Sequence, residues 1–509
     1  MPFHWSPPPG AQRYDPVSYL DGNCRVRPGA LAVLDPERQL TFVELRSLVR
    51  VAAGALLAEG LCPGEAVGVH LANSWEYVVL ELAIPHAGGV ILPLPMPLAT
   101  HEMEWALSRS GATMVISSLE TGAPAGVPSR CRAILTTDLL RPADRVAVPQ
   151  PDADPDRVVE IALTSGTTGL PRLASLNARL KQATFEGFTR RLEIGAGDRI
   201  LVVSPVAHGL GGMCLFGSRV GAALVMLRQE RFDADGTVAA AAETRATHLV
   251  GVPTNIIRML NSEALSHSDL SAARVTAVAG SLMPPEVARA WEERTGSKVC
   301  VFYGSMDAGQ LAVGSPADTA EKRWNTVGRP HDVAELKIVD PDGRALPEGE
   351  AGEICMRGPT VQDRYWGERD GPFSADGFAH TGDLGFLDQD GYLHLAGRLS
   401  DIIIRGGANI NPTEVETILR RHPAIADACV VGRPDRELGE RVVACVVPRQ
   451  ETRLDLGEIR KWLEDAGLAY YKWPEALMTI HELPLSGPGK IARSQLRRLA
   501  AGDLPMGPS

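Results

Sequence analysis

Short apolar segments that alternate with helical periodicity constrain the fold of this chain more than any other feature. From about residue 40 the β-rich runs recur with helical patterns between most of them: 66–72, 89–94, 113–118, 199–205, 248–253, 275–280 and 298–304. At one helix start, Thr41 and Glu44 form a capping-box pattern. Continuous apolar strands that alternate with helices are typical of parallel sheets covered on both faces. The sequence therefore predicts an α/β fold with parallel-rich sheets.

The pattern changes after residue 330 and again near residue 400. Short alternating strands with Gly and Asp turns (AELKIVDPDG, GEICMRG and GYLHLAGR) predict a small antiparallel or barrel-like unit. Beyond it, Asn411 as N-cap and Pro412 at the first helical position predict a helix start. Because 509 residues exceed one core of about 250–300 residues, we expect a large domain over residues 1–398, which includes the barrel-like unit, and a small α+β domain over residues 399–509.

Composition excludes several classes of protein. The formal net charge is −11 without long like-charge runs, so neither a nucleic-acid footprint nor a polybasic membrane patch is expected. The eight cysteines are scattered without a CxxC pair, which favours a reduced compartment over a disulfide framework or zinc site. The N-terminus has no signal-peptide pattern, and no apolar stretch approaches about 18 residues. We therefore expect a cytoplasmic protein with no membrane partner.

A loop rich in glycine and hydroxyl side chains follows the apolar run 158–163. Residues 164–172 read TSGTTGLPR. Glycine lets the backbone approach a ligand closely, and successive N–H groups form an anion-binding concavity. The pattern favours a polyphosphate-binding loop, with a solvated linker as the alternative. It is not a Walker A loop, because GxxxxGK[ST] occurs nowhere in the chain.

Five segments follow one another along the chain: TSGTTGLPR (164–172), FYGSMDAG (302–309), HTGDLG (380–385), GRLSDIIIRGGANINPTEVE (397–416) and PLSGPGKIAR (484–493). In this order they resemble motifs of the adenylate-forming superfamily, which includes acyl- and aryl-CoA synthetases, peptide-synthetase adenylation domains and luciferases. The resemblance, closest to acyl- and aryl-acid CoA ligases, implies an ATP-dependent acid–thiol ligase. Such an enzyme adenylates a carboxylic acid, releases pyrophosphate and transfers the acyl group to CoA. It also implies Mg²⁺ and a mobile C-terminal domain.

The resemblance also assigns residues to the nucleotide site. Asp307 is the expected Mg²⁺ ligand, Thr168 its hydroxyl partner, and both join Lys490 as expected catalytic residues. The expected ATP contacts are Thr164, Ser165, Gly166, Thr167, Thr168, Gly169, Arg172, Gly280, Ser281, Tyr303, Gly304, Ser305, Met306, Asp383, Arg398 and Lys490. Among them Tyr303 offers a face to adenine, and Asp383 and Arg398 bind the ribose. A turn residue or a solvated surface lysine is the alternative interpretation for Asp307, Asp383, Arg398 and Lys490.

Four positions depart from the family pattern. Arg172 replaces the customary Lys, Asn177 stands where a His often follows, Met306 replaces a Thr, and Ser400 occupies the hinge position usually held by Asp or Lys. The chain has seven lysines against 44 arginines, so drift toward arginine explains the first change. Lys490 is retained in this lysine-poor chain, and a compact ammonium suits transient pairing with carboxylate and phosphate oxygens.

The expected acid site lies in SPVAHGLGGMCLF (204–216). The resemblance makes His208 the gate beside the acid, with the expected acid contacts completed by Gly209, Gly211, Gly212, Gly280 and Gly304. No Asp that would anchor an amino group is evident in this segment, and the Asn of salicylate-activating relatives is absent. We therefore expect an apolar carboxylic acid, aromatic or otherwise bulky.

The resemblance places the pantetheine tunnel at Gly406 and Gly407. Free CoA is the first expectation for the acceptor, and an acyl or aryl carrier protein is the alternative, because both present pantetheine. Two further classes stay open on the residues alone: a luciferase-type oxygenase, which would share the nucleotide motifs, and a non-catalytic adenylate-binding protein, given Met306 and Ser400.

Overall fold

The computed structural model describes residues 16–120, 122–141, 148, 154–164, 172–229, 231–305, 309–362, 364–368, 374, 376–449, 454–486 and 490–502. All eight cysteines lie in these ranges as free thiols. Within the same ranges, no helix has both the length and the apolar character needed to cross a bilayer.

The strands, in chain order, are β1 (Leu31–Leu34), β2 (Gln39–Thr41), β3 (Ala66–His70), β4 (Val90–Pro93), β5 (Met114–Ser117), β6 (Arg132–Leu135), β7 (Val158–Leu163), β8 (Leu173–Asn177), β9 (Arg199–Val202), β10 (Ala223–Met226), β11 (His248–Gly251), β12 (Val275–Val278), β13 (Lys298–Ser305), β14 (Gly309–Val313), β15 (Arg329–Pro330), β16 (Glu335–Val339), β17 (Gly352–Arg357), β18 (Ala379–Leu387), β19 (Leu393–Arg398), β20 (Ile403–Arg405), β21 (Ala408–Ile410), β22 (Ile425–Asp435), β23 (Gly439–Pro448), β24 (Ala476–Thr479), β25 (Leu485–Ser486) and β26 (Lys490–Ile491).

The α-helices are α1 (Pro16–Val26), α2 (Phe42–Ala58), α3 (Trp75–His86), α4 (Thr100–Ser110), α5 (Thr136–Leu139), α6 (Ala178–Arg191), α7 (Gly209–Cys214), α8 (Ala234–Glu243), α9 (Pro253–Leu260), α10 (Pro285–Thr295), α11 (Ala320–Asn325), α12 (Pro412–Leu419), α13 (Leu456–Asp465) and α14 (Arg493–Ala501). Short 3₁₀ turns cover Leu215–Val220, Glu263–Ser266, Leu399–Asp401 and Tyr470–Lys472.

Residues 31–330 contain two sheets that consist mostly of parallel strands. One has nine strands in the order β15-β14-β13-β12-β11-β9-β10-β1-β2, and the other has six in the order β6-β5-β3-β4-β7-β8. In the first, β1, β10, β9, β11, β12 and β13 run parallel to one another, whereas the β1–β2, β13–β14 and β14–β15 pairs are antiparallel. In the second, only the β7–β8 pair is antiparallel. The predicted α/β class is confirmed.

Helix α2 shows how local chemistry begins an element here. Thr41 Oγ1 accepts from the N–H of Glu44 at 3.3 Å, and the Glu44 carboxylate accepts from the N–H of Thr41 at 2.8 Å. The reciprocal bonds satisfy two otherwise unpaired donors, as the capping-box pattern predicts. The helix then buries Leu45, Val49 and Leu56 in the core shared with α3.

The described chain divides into two compact units. The first comprises residues 1–336, 355–381 and 391–393, and the second comprises 337–354, 382–390 and 394–509. Strands β16-β17-β18-β19 form a four-stranded sheet in that order, where the sequence predicts short alternating strands. The predicted domain boundary between residues 398 and 399 stays a prediction.

The second unit has its own sheet and core. Strands β21-β20-β23-β22 lie in that order with β24 parallel to β23, and α12, α13 and α14 accompany them. Helix α12 begins as the sequence predicts, because Asn411 Oδ1 accepts from the N–H of Thr413 at 3.0 Å and Pro412 occupies the first turn. Ile410, Val415, Leu419 and other buried side chains form the core of this unit.

A buried cluster of charged side chains links α6 to α3 and β7 in the first unit. Lys181 on α6 contacts Glu81 on α3 at 3.2 Å and forms a closer ion pair with Glu160 on β7. All three residues are less than 10% exposed. Burial raises the pKa of Glu81, and the charge of Lys181 opposes this shift. The lysine therefore joins two carboxylates that the core could not otherwise hold in ionised form.

We predict that Lys181→Met destabilises the protein by about 3–5 kcal/mol, because it leaves buried carboxylates unpaired. Urea denaturation followed by tryptophan fluorescence measures the loss. The loss should shrink as the pH falls, because the raised pKa of Glu81 lets the folded state of the variant take up a proton first.

The matched control for Lys181→Met lies on the same helix. Arg190 forms an exposed ion pair with Asp332, so Arg190→Met should cost only about 0–1 kcal/mol. Equal losses in the two variants, at every pH, would contradict a structural role for the buried cluster.

Candidate active site

The carboxyl ends of four parallel strands, β9, β11, β12 and β13, meet at one edge of the nine-stranded sheet. The chain passes from β9 to β10 on one side and returns as β11 on the other, so the strand order reverses beside β9. Open α/β sheets bind ligands at such a reversal, outside the carboxyl ends of the strands. His208 follows β9, Gly280 and Ser281 follow β12, and Tyr303 and Gly304 lie near the end of β13.

His208 stands directly before α7. Its N–H donates to the carbonyl oxygen of Pro205 at 3.0 Å, and its own carbonyl accepts from the N–H of Gly212 at 2.9 Å. The residue is half-buried. The segment between β9 and α7 therefore folds back on itself and places His208 at the carboxyl edge of the sheet.

The glycines after His208 differ in what surrounds them. A Cβ on Gly211 would collide with the carbonyl oxygen of Pro205 and lie 2.8 Å from that of Ser204. Close backbone packing therefore requires glycine at position 211, and its role as an acid contact stays a prediction. A Cβ on Gly212 would lie 3.3 Å from the carbonyl oxygen of Val206, its one neighbour within 4 Å among those described.

Two other predicted contacts also have backbone reasons for being glycine. Gly280 has φ +92°, in the left-handed region. A Cβ on Gly304 would lie 2.7 Å from the carbonyl oxygen of Gly309, because β13 and β14 approach closely there. Tyr303, the expected adenine neighbour, is 7% exposed, whereas Ser281 is exposed.

Gln310 is a candidate site residue that the motif analysis missed. It pairs with Gly304 across the β13–β14 ladder and is 5% exposed. Neither the amide oxygen nor the amide nitrogen of its side chain has a hydrogen-bond partner among the residues that the structure describes. A buried unpaired amide costs about 1–3 kcal/mol, so it needs an explanation. The available sequence signal was a single Gln at the start of the otherwise apolar strand GQLAV.

The base of the predicted phosphate loop is closed by backbone contacts. The N–H of Thr164 donates to the carbonyl oxygen of Arg172 at 2.9 Å, and Thr164 Oγ1 accepts from the N–H of Arg172 at 3.2 Å. The expected contacts Ser165, Gly166, Thr167, Thr168 and Gly169 lie outside the described residues, as do Met306 and Asp307. For Ser305 and Lys490 the backbone alone is described.

Two departures from the family pattern have local explanations. The Arg172 guanidinium lies 5.0 Å from the ring centroid of Tyr365, which gives the exposed cation an aromatic neighbour. Asn177 is the N-cap of α6, where its Oδ1 accepts from the N–H of Leu180 at 2.8 Å. An Asn at this position therefore stabilises the start of α6.

The two residues expected at the ribose are partners within the second unit. Arg398 Nε donates to Asp383 Oδ1 at 2.8 Å. Asp383 is 6% exposed, and the Arg398 side chain is about half exposed. The ion pair orients the carboxylate, and the exposed guanidinium keeps further donors available.

The predicted pantetheine residues form the turn of a two-residue hairpin. Gly406 has φ +55° and Gly407 has φ +82°, between β20 and β21. Two central residues with positive φ are typical of a type I′ turn, which matches the twist of the strands. A Cβ on Gly406 would lie 3.4 Å from Leu438 Cδ2, and one on Gly407 would meet nothing within 4 Å. The turn geometry alone therefore accounts for both glycines.

The C-terminal helix fixes the segment that carries Lys490. Lys490 pairs with Ser486 in the β25–β26 ribbon. Three residues on, the Arg493 guanidinium binds the buried Glu416 carboxylate in two bonds, at 2.6 and 2.9 Å. Arg493 and Arg497 also contact Asp401, and Arg497 donates to the carbonyl oxygen of Ser400 at 3.1 Å. The lysine ribbon and the predicted hinge residue are thus tied to one helix.

Comparison with known families gives two matches that together cover most of the chain. Residues 20–366 match the family described as AMP-binding enzyme. Residues 414–490 match the family described as AMP-binding enzyme C-terminal domain.

Individual relatives match over nearly their full length. Indoleacetate–CoA ligase of Aromatoleum aromaticum is 32% identical, with 95% of this chain and 98% of the relative covered. Feruloyl-CoA synthase of an Amycolatopsis species is 33% identical, with 93% and 96% covered. The solved structure of the anthranilate–CoA ligase AuaEII in complex with anthranoyl-AMP superposes with a TM-score of 0.87 at 26% identity, over 96% of this chain and 98% of that one.

We predict opposite outcomes for alanine at Gly211 and at Gly212. Gly211→Ala should lower kcat/KM for every acid, because its Cβ collides with backbone. Gly212→Ala should be tolerated with small acids and penalise bulky aryl acids, because its Cβ meets one oxygen at 3.3 Å. Acid-dependent ATP–pyrophosphate exchange over acids of graded size measures both. A size-dependent loss in Gly211→Ala would contradict the packing role.

Proposed function

Because the chain belongs to the AMP-binding enzyme family, we propose that it joins an aryl- or arylalkyl-carboxylic acid to CoA. The predicted family, fold class and ligase activity are confirmed. The chain is an AMP-forming acid–CoA ligase, and ATP and CoA are its co-substrates. The proposal concerns the acid, the metal and the residues that act. A carrier protein as acceptor and a cytoplasmic location stay predictions.

The convergence of the loops after β9, β12 and β13 at one sheet edge is the observation that supports the assignment of the acid site. His208 follows β9, Gly280 follows β12 and Gly304 lies near the end of β13, and the motif resemblance alone assigned all three to the acid. We propose that the carboxylate of the acid faces residues 164–172, the predicted phosphate loop. The reacting carboxylate is already ionised near pH 7, so the site needs no base to generate the nucleophile.

Adenylation requires that an anion attack the α-phosphate of an anionic nucleotide. Fixed donors and a divalent cation stabilise the charge that builds on phosphorus. We propose that Mg²⁺, held by Asp307 with the hydroxyl of Thr168, and the ammonium of Lys490 supply this stabilisation. The leaving group is pyrophosphate, and the thiol of CoA then displaces AMP from the acyl carbon.

The proposed acid is aromatic and carries a hydrogen-bonding group on its ring system. Three of the similar proteins are named for acids of this kind, indoleacetate, ferulate and anthranilate, which carry a ring N–H, a hydroxyl and an amino group. The unpaired amide of Gln310 beside Gly304 offers a partner for such a group. A site with a buried polar group discriminates strongly against an analogue that lacks the matching group.

The experiment that tests this function is ATP–pyrophosphate exchange over matched acids, such as 4-hydroxycinnamate against cinnamate, which differ only in the ring hydroxyl. The wild type should prefer the acid with the ring hydroxyl. Gln310→Leu should reduce that preference by about two- to tenfold, the value of one neutral hydrogen bond. Absence of exchange with every aryl acid would refute the proposed substrate class.

The matched control for Gln310→Leu is Gln182→Leu. Gln182 is equally buried at 4% exposure, and its Nε2 donates to the hydroxyl of Tyr19 at 2.7 Å. This change should alter stability without altering the ratio between the exchange rates with 4-hydroxycinnamate and with cinnamate. A ratio that moves equally in both variants would show that Gln310 does not contact the acid.

We further predict that Lys490 and Gly407 serve different half-reactions. Lys490→Ala should slow acyl-adenylate formation by removing a charged hydrogen bond of about 1.5–3 kcal/mol, and leave thioester formation from supplied adenylate nearly intact. Gly407→Leu should do the reverse, because a side chain at the hairpin turn would obstruct pantetheine. Both steps are measured on both variants.

Each variant has a matched control in the same unit. Lys461 is an exposed lysine on α13, so Lys461→Ala should change neither step. Gly467 has φ +81° and no atom within 4 Å of a built Cβ, which matches Gly407 in strain and space. Gly467→Leu should therefore introduce the same backbone strain as Gly407→Leu without slowing thioester formation. Equal slowing of both steps by Lys490→Ala and Gly407→Leu would contradict the division of roles.

A further inference from the structure

Asn73 is buried where the two sheets of the first unit approach each other. It lies in the loop between β3 of the six-stranded sheet and α3, and is 7% exposed. The motifs of the nucleotide and acid sites do not include it. Its side chain nevertheless contacts the segment that leads from β9 to His208.

The Asn73 amide makes hydrogen bonds to alternate residues of that segment. Nδ2 donates to the carbonyl oxygens of Val202 at 3.2 Å and Ser204 at 3.0 Å. Oδ1 accepts from the N–H of Val206 at 2.8 Å. Both amide protons and the amide oxygen are therefore used, and the pattern of partners fixes which atom is nitrogen. Strand β9 ends at Val202, and beyond it the segment no longer has neighbouring strands as hydrogen-bond partners. The Asn73 side chain supplies hydrogen bonds in their place.

The residues that hydrogen-bond to Asn73 lie directly before His208, the predicted acid gate. Pro205 lies between the bonded residues, and its carbonyl oxygen accepts from the N–H of His208 and packs against Gly211. A displacement of this segment would therefore move His208 and the start of α7 together. Displacements of about 1 Å in a substrate-positioning element can cost about 10²-fold in rate.

The loop that carries Asn73 is itself anchored on both sides. Ser74 caps α3 by accepting from the N–H of Tyr77 at 3.3 Å. The N–H of Trp75 donates to Asp35 at 3.0 Å, beyond the end of β1 in the nine-stranded sheet. Arg228, beyond the end of β10, contacts the same carboxylate at 3.1 Å. Asn73 thus projects from a fixed position.

We propose that Asn73 is a positioning residue for the carboxylic acid, acting through the 202–206 segment on His208 and α7. The proposal rests on the proposed acid site at the carboxyl edge. We expect Asn73 to affect the use of the acid and not the binding of ATP. The reason is that the residues to which it hydrogen-bonds lead to His208 and not to the phosphate loop.

The test compares Asn73→Ala with Asn73→Asp and with a matched control. Asn73→Ala removes all the contacts, whereas Asn73→Asp keeps the volume and the acceptor for Val206 but loses both donors. The control is Asn23→Ala, because Asn23 Nδ2 also donates to two carbonyl oxygens, those of Ser218 and Arg219, each at 3.0 Å. If Asn73→Ala fails to fold, Asn73→Asp takes its place in the kinetic measurements, because it still loses both donors to the 202–206 segment.

The kinetic arm measures kcat/KM for the acid and the KM for ATP. The Asn73 variants should lose about 10²-fold in kcat/KM for the acid and change the preference among aryl acids, with the KM for ATP unchanged. Asn23→Ala should change neither. An unchanged acid preference in the Asn73 variants, or equal effects on acid and ATP, would overturn the proposal.

The second arm is an exchange experiment that is done without the carboxylic acid substrate. Hydrogen–deuterium exchange of peptides that span residues 203–208 should be faster in Asn73→Ala than in the wild type and in Asn23→Ala, because the Val206 amide loses its acceptor. Unchanged exchange would overturn the positioning role even in an active enzyme. If the wild type activates no aryl acid, the proposed function fails, and this arm still decides whether Asn73 holds the segment.

Discussion

The parallel alignment of β9, β11, β12 and β13 is the constraint on which the candidate site depends. Parallel strands end at the same edge, so residues far apart in sequence, such as His208 and Gly304, follow strands that end together. Each strand needs a crossover helix, and those helices bury the sheet on its faces. The geometry of the site therefore depends on backbone hydrogen bonds between strands that are far apart in the sequence.

Much of this arrangement could be predicted from local pattern. Apolar runs and helical periodicity indicated the α/β class, and the starts of α2 and α12 follow from Thr41, Glu44, Asn411 and Pro412. These signals act within a few residues of chain. The departure at Asn177 also has a local cause, since capping of α6 explains an Asn there.

Long-range contacts account for what local pattern could not predict. Lys181 gave no sign that it would bridge Glu81 and Glu160, which lie 100 and 21 residues away along the chain. The partners of Asn73 lie about 130 residues away. The resemblance made Gly211 an expected acid contact, and the sequence did not show that the backbone of Ser204 and Pro205 leaves no room for a Cβ there. For Lys181 and Asn73 the determining neighbours come from another strand or loop, whereas for Gly211 they come from the segment that leads from β9 to α7.

The central claim is that the acid lies beyond the carboxyl ends of the nine-stranded sheet. The most direct measurement is a crystal structure with a non-hydrolysable aryl-adenylate analogue, in which a sulfamate replaces the acyl phosphate. The account predicts that the aryl ring contacts His208 and Gly304, with heavy atoms within about 4 Å, and that its polar substituent meets the Gln310 amide. An aryl ring bound away from the loops that follow β9, β12 and β13 would contradict it.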